Sequence, residues 1–476
     1  MNPNIKLPDQ FLKQMEQIMP THLSMTAFID ACKRPLRPSI RVNTLKISVA
    51  AFLERAEEKG WELEPVPWCS TGFWFKNSGE DDVRLGNTAE HLAGLFYIQE
   101  ASSMMPVTAL LHDQPELGHV LDMAAAPGSK TTQLAAAMEN NGVLVANEFS
   151  SSRIKMLHAN IRRCGVSNVA MTHFDARVFG GWLPESFDAI LLDAPCSGEG
   201  TIRKDPAAMD NWSVGSTEEI AETQKDLIVS AFHALKPGGS MVYSTCTLNM
   251  TENQQVCHFL KETFGDAIEF EPLNNLFENA SASATDDGFL HIFPQTYDCE
   301  GFFVARLKKN RSVGSKMVKK RMGKFPFTKA EKKDCQVISE TLENNLGLSL
   351  PENTSIWLRD KEVWVFPKNI ETMLSELKFD RIGFKLADTH KKGYRWQHEA
   401  IIALAKGIES SALEISALDA IEWYKGRDIR PSELVGKGEV IVCYRGQPIG
   451  MGKWVGSRVK NNLPRELVRD SNLFSQ

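Results

Sequence analysis

The stretch LDMAAAPGSKT, Leu121 to Thr131, decides how the rest of the chain is read. It starts at the end of an apolar run, HVLDMA, and leads into KTTQLAAAM, so a strand turns into a helix through small residues. Small residues and Gly128 let the backbone come close to a ligand, and the N-terminus of the helix is electropositive. The GSKT within it suggests a phosphate-binding P-loop. Ser129 separates Gly128 from Lys130, however, so the G-x-x-x-x-G-K-[ST] spacing is broken and an NTPase is rejected.

Outward from this turn, residues from about 117 to 308 alternate short apolar runs with helical periods, which signals a parallel sheet with crossover helices. HVLDMA, GVLVANE, NVAMTHFDA, FDAILLDAP and SMVYSTC read as strands; KTTQLAAAM, SRIKMLHANIRRCG and EEIAETQKDLIVSAFHAL read as helices. PGGS, Pro237 to Ser240, reads as the turn before the fifth strand, and GFFVARLKK, Gly301 to Lys309, as a last strand closing the unit. The expected fold class is α/β with a Rossmann-like domain at its centre.

Three acids fall in register with the glycine turn. Glu148 is read at the end of the second strand, where an acid of a Rossmann-like sheet accepts hydrogen bonds from ribose hydroxyls. Asp175 is read at the end of the third strand, where a polar group reaches an adenine edge, and Asp193 at the end of the fourth. Any one of them alone reads as a helix cap or a turn acid. Together with the Gly128 turn they read as a nucleotide-type site at the carboxyl edge of the sheet.

Two cysteines belong to the same edge. DAPCSGEG (Asp193 to Gly200) and STCT (Ser244 to Thr247) end the fourth and fifth strands, so Cys196 and Cys246 should open onto the cleft beside the cofactor. A lone cysteine reads as a small buried hydrophobe; two at adjacent strand ends, one in a D-x-P-C turn, read as chemistry. A thiolate that adds to carbon 6 of a cytosine makes carbon 5 reactive toward a sulfonium methyl group, which is covalent catalysis. An acid must bind or protonate the ring nitrogen during the addition, and Asp193 is placed for that. A helix N-terminus or a cation such as Lys130 would favour ionisation of the thiol. An amino-group methyltransferase would want Asn or Asp before Pro-Pro and an aromatic residue, which Ala194-Pro195-Cys196 does not supply. Spacing alone does not say which cysteine attacks.

The bulk composition sets outer limits. The chain has 476 residues, 42% hydrophobic and 24% charged, which is enough for two to four domains with cores of their own. A net charge of −6 counts mildly against a polyanion-binding protein, although a local basic patch is what matters. The nine cysteines are single and odd in number, with no C-x-x-C pair, so a disulfide framework or a zinc site is not expected, and reduced thiols in the cytoplasm are. No run approaches the roughly 18 apolar residues of a membrane span.

The flanks are less regular. Residues 1 to about 100 combine a helical start, Pro8 to Ile18, with strand-like runs such as SIRVNTLK and GFWFK, a small α/β accessory region. From Arg306 to Lys333 the chain is dense in Lys and Arg, with Glu331 the only acid, and reads as an exposed linker or basic surface. A new apolar pattern begins at SIWLRDKEVWVFP; GEVIVCYRGQPIGMGKWV reads as a β-hairpin turning at Arg445-Gly446, followed by the basic stretch SRVKNNLPRELVR.

These motifs, taken in order, resemble those of a known family. RVNTLK (Arg41 to Lys46), QEASS (Gln99 to Ser103), AAPGSKT, DAPCSG, KPGG, STCT and GFFVARLKK are similar to motifs of the RNA cytosine-5 methyltransferases of the Nol1/NOP2/Sun type, over roughly residues 30 to 310. The resemblance implies a class I methyltransferase domain using S-adenosyl-L-methionine. It implies that Cys246 is the nucleophile and that Cys196 assists release of the product. It implies that Glu148, Asp175 and Asp193 contact the cofactor, Asp193 facing the base as well, and that the backbone of Ala124, Ala125, Ala126, Pro127, Gly128, Ser129 and Lys130 cradles the methionine and ribose portion. The YRGQPIGMGKW hairpin and VKNNLPRELV resemble a bacterial branch that methylates 16S rRNA at cytosine-1407 and ends in a PUA RNA-binding domain. The division expected is residues 1–115, an accessory RNA-binding region; 116–308, the methyltransferase domain; 309–387, a basic linker and pre-PUA region; and 388–476, a PUA-like mixed α/β domain.

The implied partner is 16S rRNA in the small ribosomal subunit, acted on by a monomer with no metal and no membrane. Phosphate contacts are expected from the Arg306 to Lys333 stretch and from Lys453, Arg458, Lys460 and Arg465, with Trp454 either stacking on a base or lying in a core. Arg203 and Lys204, in TIRKDP, either clamp a phosphate or cap a loop. Three other readings stay open: a tRNA cytosine-5 methyltransferase; a ribosome-assembly factor whose catalytic domain is spent, against which an intact Cys246, Asp193 and Gly128 argue; and a protein methyltransferase, which has no need of paired cleft cysteines.

Overall fold

Five apolar runs become five neighbouring parallel strands because each is buried on both faces: every residue of Val143–Asn147 and of Val169–Thr172 is buried. The structure is a computed structural model that describes residues 5, 7–76, 84–113, 117–315, 318, 323–391, 393–407, 411–431, 436–469 and 473–474. In space the parallel strands run Leu235–Thr245, Phe187–Asp193, His119–Asp122, Val143–Asn147, Val169–Thr172. The order reverses between His119–Asp122 and Phe187–Asp193, and the crevice at such a switch point is where open α/β sheets bind ligands. Phe302–Lys309 closes the sheet antiparallel to Leu235–Thr245, and Ile268–Glu271 lies beyond it. Helices Ser129–Ala137, Arg153–Cys164 and Val214–Ala234 are the crossovers, and the last is opened by a capping box of Ser213 and Ser216. The sheet therefore has a Rossmann-like core with its apolar clusters on both faces.

The stretch Pro237 to Ser240 differs from expectation. It is not a turn before the fifth strand but a bulge inside it: the strand begins at Leu235, opposite Phe187, and its register then jumps so that Ser240 faces Ala189. Gly238, at φ +84°, supplies the backbone conformation the bulge needs.

The flanking regions are tied into this core. An N-terminal antiparallel sheet, in the order Glu62–Val66, Cys69–Lys76, Ser39–Val42, Phe96–Ile98, sends Trp68, Trp74 and Tyr97 onto one face of the central sheet. The helices Asp9–Ile18 and Met25–Lys33 pack Phe11 and Phe28 against Ile202 and Leu248, on the loops that follow the fourth and fifth strands, and against Phe293, just past the short strand Leu290–Ile292. After Lys309 a second antiparallel sheet forms, and its neighbour strand Arg381–Ile382 adds to the free edge of the central sheet beside Val169–Thr172. That pairing covers an edge that would otherwise expose unpaired backbone groups. The strand Phe384–His390 runs through residue 387, where the sequence places a boundary, and keeps pairing with Gly393–Trp396. The last sheet, Ala412–Glu414, Glu439–Tyr444, Gln447–Val455 and Arg458–Asn461, turns its hairpin at Arg445-Gly446, both residues at positive φ as a two-residue hairpin turn requires. Its Trp423, Val442 and Ile449 share a core with Ile40, Phe52 and Phe96 of the N-terminal region.

The basic stretch from Arg306 to Lys333 is not one exposed linker. Arg306 is buried in the last central strand and paired with Glu271. Lys309 is fully buried and donates to the carbonyls of Phe232 and Leu235. Arg311 pairs with Asp266 and Lys329 with Glu371. Strand cations whose ammonium or guanidinium finds internal partners look, in sequence, like solvated ones. Lys316, Lys319, Lys320 and Arg321 lie outside the described residues.

Candidate active site

The strand His119–Asp122 ends in a loop that passes Ala124 to Gly128 before the helix opens at Ser129. Gly128 sits at φ +108°, and a Cβ there would lie 3.1 Å from Leu157 Cδ1, so this turn demands glycine. Two bonds hold the loop to the next strand: Ala125 N donates to Asn147 O at 2.8 Å and Ala126 N to Glu148 Oε2 at 3.2 Å. Glu148 is almost wholly buried and also accepts from Ser150 N at 2.7 Å. Asp122, beneath the loop, accepts from Thr131 Oγ1 at 2.7 Å, while its Oδ1 is buried with no partner. Burial first, and then the Asp193 charge, push the Asp122 carboxyl up to about 7. A tight backbone cradle, an acid just past the second strand and an orphaned buried carboxyl oxygen together fit a cofactor with ribose hydroxyls and an ammonium group.

Asp175 does not end the third strand. The strand stops at Thr172, and Asp175 instead caps the turn Ala176–Val178. Arg177 grips its carboxylate, Nη2 to Oδ2 at 2.6 Å and Nε to Oδ1 at 3.0 Å, which holds that carboxyl below the usual range. The two-residue spacing to Arg177 was the local signal for this pairing.

Asp193 does end the fourth strand, and both of its oxygens are engaged. Lys130 Nζ donates to Oδ2 at 2.7 Å and Ser244 Oγ to Oδ1 at 2.8 Å. Lys130 also donates to Ser103 Oγ at 2.8 Å. The ammonium is thus committed to the acid rather than to a thiol, and Ser103, from the QEASS stretch, is the residue that aims it.

Cys196 and Cys246 face each other with their sulfurs 3.3 Å apart, and both are partly exposed. Of the other seven cysteines, Cys335 is partly exposed and Cys32, Cys69, Cys164, Cys257, Cys299 and Cys443 are buried. Burial pushes the Cys32 thiol up to about 12, as suits an inert core thiol. The two cysteine loops are tied along their length. Ser197 Oγ and Thr247 Oγ1 are 2.8 Å apart, and Gly200 N donates to Cys246 O at 2.9 Å. Glu199, fully buried, accepts from Leu248 N at 3.0 Å and from Asn249 N at 2.8 Å. A side chain at Gly200 would collide with the Gly301 carbonyl, so the last strand closes against this loop as well. Cys196 is driven well above the ordinary thiol range by its hydrogen bond to Cys246, then by burial and by the charges of Cys246, Glu252 and Asp193.

Sequence reasoning missed Ser103, Glu199, Gln224, Asn249 and Glu252, all of which touch or tie these loops. The signal was the run TLNMTENQ after STCT, in which Asn249, Glu252 and Asn253 are polar yet buried. Arg203 and Lys204 separate: Arg203 is buried, pairs with Asp298 at 2.7 Å and donates to Pro35 O at 2.7 Å, so it ties elements together, while Lys204 is exposed.

Away from the cysteines, a cleft of about 970 Å³ opens between the antiparallel sheet that follows Lys309 and the last, mixed sheet. Arg162, Lys391, Arg395, Lys453 and Lys460 line it against the acids Glu399 and Glu439, with Tyr394 and Trp396 on its wall. The indole Nε1 of Trp396 is buried without a partner. A second cavity of about 380 Å³ shares Arg162, His398 and Leu463 with it and adds Lys155, Arg163 and Arg469. Of the tail cations expected to meet phosphate, Lys453 and Lys460 reach the cleft, Arg465 is exposed, and Arg458 pairs with Asp428 at 3.1 Å. Trp454 packs on the core shared with the N-terminal sheet rather than standing free. Among the described residues there is no group of three His, Cys, Asp or Glu that could hold a metal, and no helix long and apolar enough to cross a membrane.

Comparison with known proteins gives four adjoining family matches. Residues 108–308 match the 16S rRNA methyltransferase RsmB/F family, 7–101 the N-terminal domain of 16S rRNA methyltransferase RsmF, 327–404 the pre-PUA domain of ribosomal RNA small subunit methyltransferase F, and 410–469 the methyltransferase RsmF PUA domain. The chain is 66% identical over 474 residues to ribosomal RNA small subunit methyltransferase F of Aliivibrio fischeri strain MJ11, covering 100% of both chains. It is 64% identical over 479 residues to the protein of that name from Vibrio parahaemolyticus, again covering 100% of both. Among solved structures, a methyltransferase homolog from Pyrococcus horikoshii aligns at 33% identity with a TM-score of 0.51, covering 64% of this chain and 100% of its own.

Proposed function

This chain belongs to the ribosomal RNA small subunit methyltransferase F family, and from that premise we propose that it methylates carbon 5 of cytosine-1407 in 16S rRNA through a covalent adduct on Cys246. The observation that carries the reading is the 3.3 Å approach of the Cys196 and Cys246 sulfurs beside the Lys130–Asp193 pair. S-adenosyl-L-methionine supplies the electrophilic methyl group. The loop from Ala124 to Lys130, with Glu148, holds it at the switch point; Asp175 takes part only if it leaves Arg177.

The chemistry then runs on the chain's own side chains. Cys246 Sγ bonds to carbon 6 of the cytosine, and the displaced π pair makes carbon 5 a nucleophile. The ring nitrogen takes a proton that the Lys130 ammonium passes through the Asp193 carboxylate, which leaves a neutral lysine beside the carboxylate. Once carbon 5 carries the methyl group it gives its proton to water in the cleft, the carbon 5–carbon 6 double bond re-forms, the ring nitrogen returns its proton to Lys130, and the bond to Cys246 breaks to leave the thiolate. Cys196 assists this release.

The target base must be flipped out of its stack, at about a few kcal/mol. Contacts beyond the pocket offset that cost. The basic cleft at Lys391, Lys453 and Lys460 supplies them, and the helix Arg153–Cys164 links the cofactor loop to the cleft wall through Arg162. The substrate is the small ribosomal subunit, the enzyme acts in the cytoplasm as a monomer, and the regions 1–115 and 388–476 grip RNA on either side of the catalytic domain.

Methyl transfer from labelled S-adenosyl-L-methionine to purified small subunits, free 16S rRNA and tRNA, mapped at base resolution, tests this. One 5-methylcytosine at position 1407 is expected, with tRNA untouched. Cys246→Ala should abolish transfer and Cys196→Ala should accumulate a protein–RNA adduct; the opposite pattern reverses the two roles. Methylation of tRNA alone would keep the chemistry and discard the substrate, and transfer to none of them would favour an assembly factor.

A further inference from the structure

Cys196 is held by both of its neighbouring peptides, and one pair of buried side chains does the holding. Gln224 Nε2 donates to Pro195 O at 2.9 Å and to Glu252 Oε2 at 3.1 Å. Ser197 N donates to the same Glu252 oxygen at 2.9 Å, and Asn249 Nδ2 to the other at 2.7 Å. Glu252 and Gln224 are fully buried. Asn249 is in turn fixed by Glu199, at 2.9 Å from its Nδ2, and accepts from Glu252 N at 2.8 Å. The carboxylate is therefore anchored to the Cys196 loop on one side and to the Cys246 loop on the other.

This arrangement is electrically lopsided. Burial is the largest effect on Glu252 and leaves its carboxyl raised above the ordinary range, yet its three partners are all N–H donors, a set that matches a carboxylate and offers no acceptor for a proton. The groups facing Cys196 are then Glu252, Asp193 and the Cys246 sulfur, with the Tyr243 ring beneath, its hydroxyl donating to Glu252 O at 2.6 Å. Lys130, the cation paired with Asp193, is spent on that acid. Cys196 thus sits among negative charges with a sulfur acceptor 3.3 Å away, which is the setting of a thiol that donates.

We propose that Glu252, anchored by Gln224 and Asn249, is the positioning residue that holds Cys196 against Cys246 and keeps it a thiol, so that Cys246 alone presents a thiolate to the base. The proposal rests on the reading that Cys246 attacks. It assigns the two cysteines unequal roles from the charges around them: Cys196 donates its S–H to Cys246 and so stabilises the attacking thiolate.

The test is the pH dependence of iodoacetamide alkylation of the full chain without RNA, quantified at each cysteine by mass spectrometry. In the parent protein Cys246 should be labelled well before Cys196 as pH rises. In Glu252→Gln, which keeps the shape and removes the charge, the Cys196 profile should move down by about one pH unit, so that it labels about tenfold faster near neutrality. Glu252→Asp should restore the parental Cys196 profile, which a merely structural role would not do. A Cys196 profile in folded Glu252→Gln that superimposes on the parent's overturns the proposal. If that variant does not fold, Gln224→Met takes its place: it frees the Pro195 carbonyl and removes one donor to Glu252, and the gap between the two labelling profiles must narrow, profiles identical to the parent's being the refuting result. Turnover is measured separately. A Cys246→Ala enzyme that still methylates overturns the underlying reading, whereas an unmoved Cys196 profile in Glu252→Gln overturns only this inference.

Discussion

Lys130 Nζ stands 2.7 Å from Asp193 Oδ2, joining the first turn of the cofactor helix to the end of the fourth strand across the cleft between them. The pair holds one positive charge beside the carboxylate proposed to face the base, and Ser103 and Ser244 occupy further directions. Lys130→Met should therefore lower methyl transfer about a hundredfold or more, the scale of removing one preorganised electrostatic partner. Cofactor affinity should change far less. Single-turnover transfer and calorimetric binding of S-adenosylhomocysteine separate the two; an equal loss in both would place Lys130 in cofactor binding instead.

Arg41 carries the N-terminal region's strongest hold on the cofactor helix. It is almost wholly buried and donates to Gln99 Oε1, to Ser129 O at 2.7 Å and to Thr132 Oγ1 at 2.8 Å. Arg41→Met strands those acceptors and should cost about 3 kcal/mol of stability, since hydrogen bonds to a charged group are the strong ones. Urea unfolding at constant m-value measures it, and a change under about 0.5 kcal/mol would show the ties to be replaceable by water.

One buried and three half-buried histidines predict acid lability. Burial lowers His91 to about 2, His158 to about 3, His291 to about 4 and His398 to about 3, from an ordinary value of 6.5. Each is neutral when folded and takes up a proton on unfolding once the pH drops below 6.5. Their contribution is therefore complete above that pH and is lost as pH falls toward the folded values. Stability should decline by on the order of 1 kcal/mol per histidine for each pH unit below 6.5. Thermal unfolding at pH 7.5, 6.5 and 5.5 reads the slope, and His291→Gln should flatten it by about a quarter. A flat profile in the parent protein would mean these rings are protonated in the fold.

The basic cleft predicts a salt signature. Lys391, Lys453 and Lys460 line it, and each is exposed. Replacing all three by alanine should reduce the slope of log Kd against log salt for 16S rRNA by roughly 2 to 3, at about 0.7 to 0.9 per phosphate contact. Labelling of Cys246 should not change. An unaltered slope would remove RNA from the cleft while leaving the catalytic site untouched.

Much of the catalytic domain was legible because its signals are local. The five strands are short apolar runs each closed by an acid, a cysteine turn or a glycine turn, and buried parallel strands carry that pattern in any context. The Pro237 to Ser240 bulge was misread because Pro-Gly-Gly marks a break without saying whether the strand resumes on the same partner. Asp175 was read at the strand end but falls past it, because the strand stops at Thr172 where its pairing ends, and Arg177, two residues on, pairs with the acid there.

Along the chain, residue type and spacing settled the Rossmann-like order, the glycine turn at 128 and the presence of Cys196 and Cys246 at adjacent strand ends, because these follow from backbone conformation and burial over a few residues. The fold alone decided that the two sulfurs stand 3.3 Å apart, that Lys130 serves Asp193, and that Glu252 and Gln224 brace the peptides around Cys196. It also turned Arg306 and Lys309 inward while leaving Lys453 and Lys460 at a cleft. Charges and hydrogen-bonding groups act through space over a few ångströms, and which of them come that close is set by packing between segments that the sequence holds far apart.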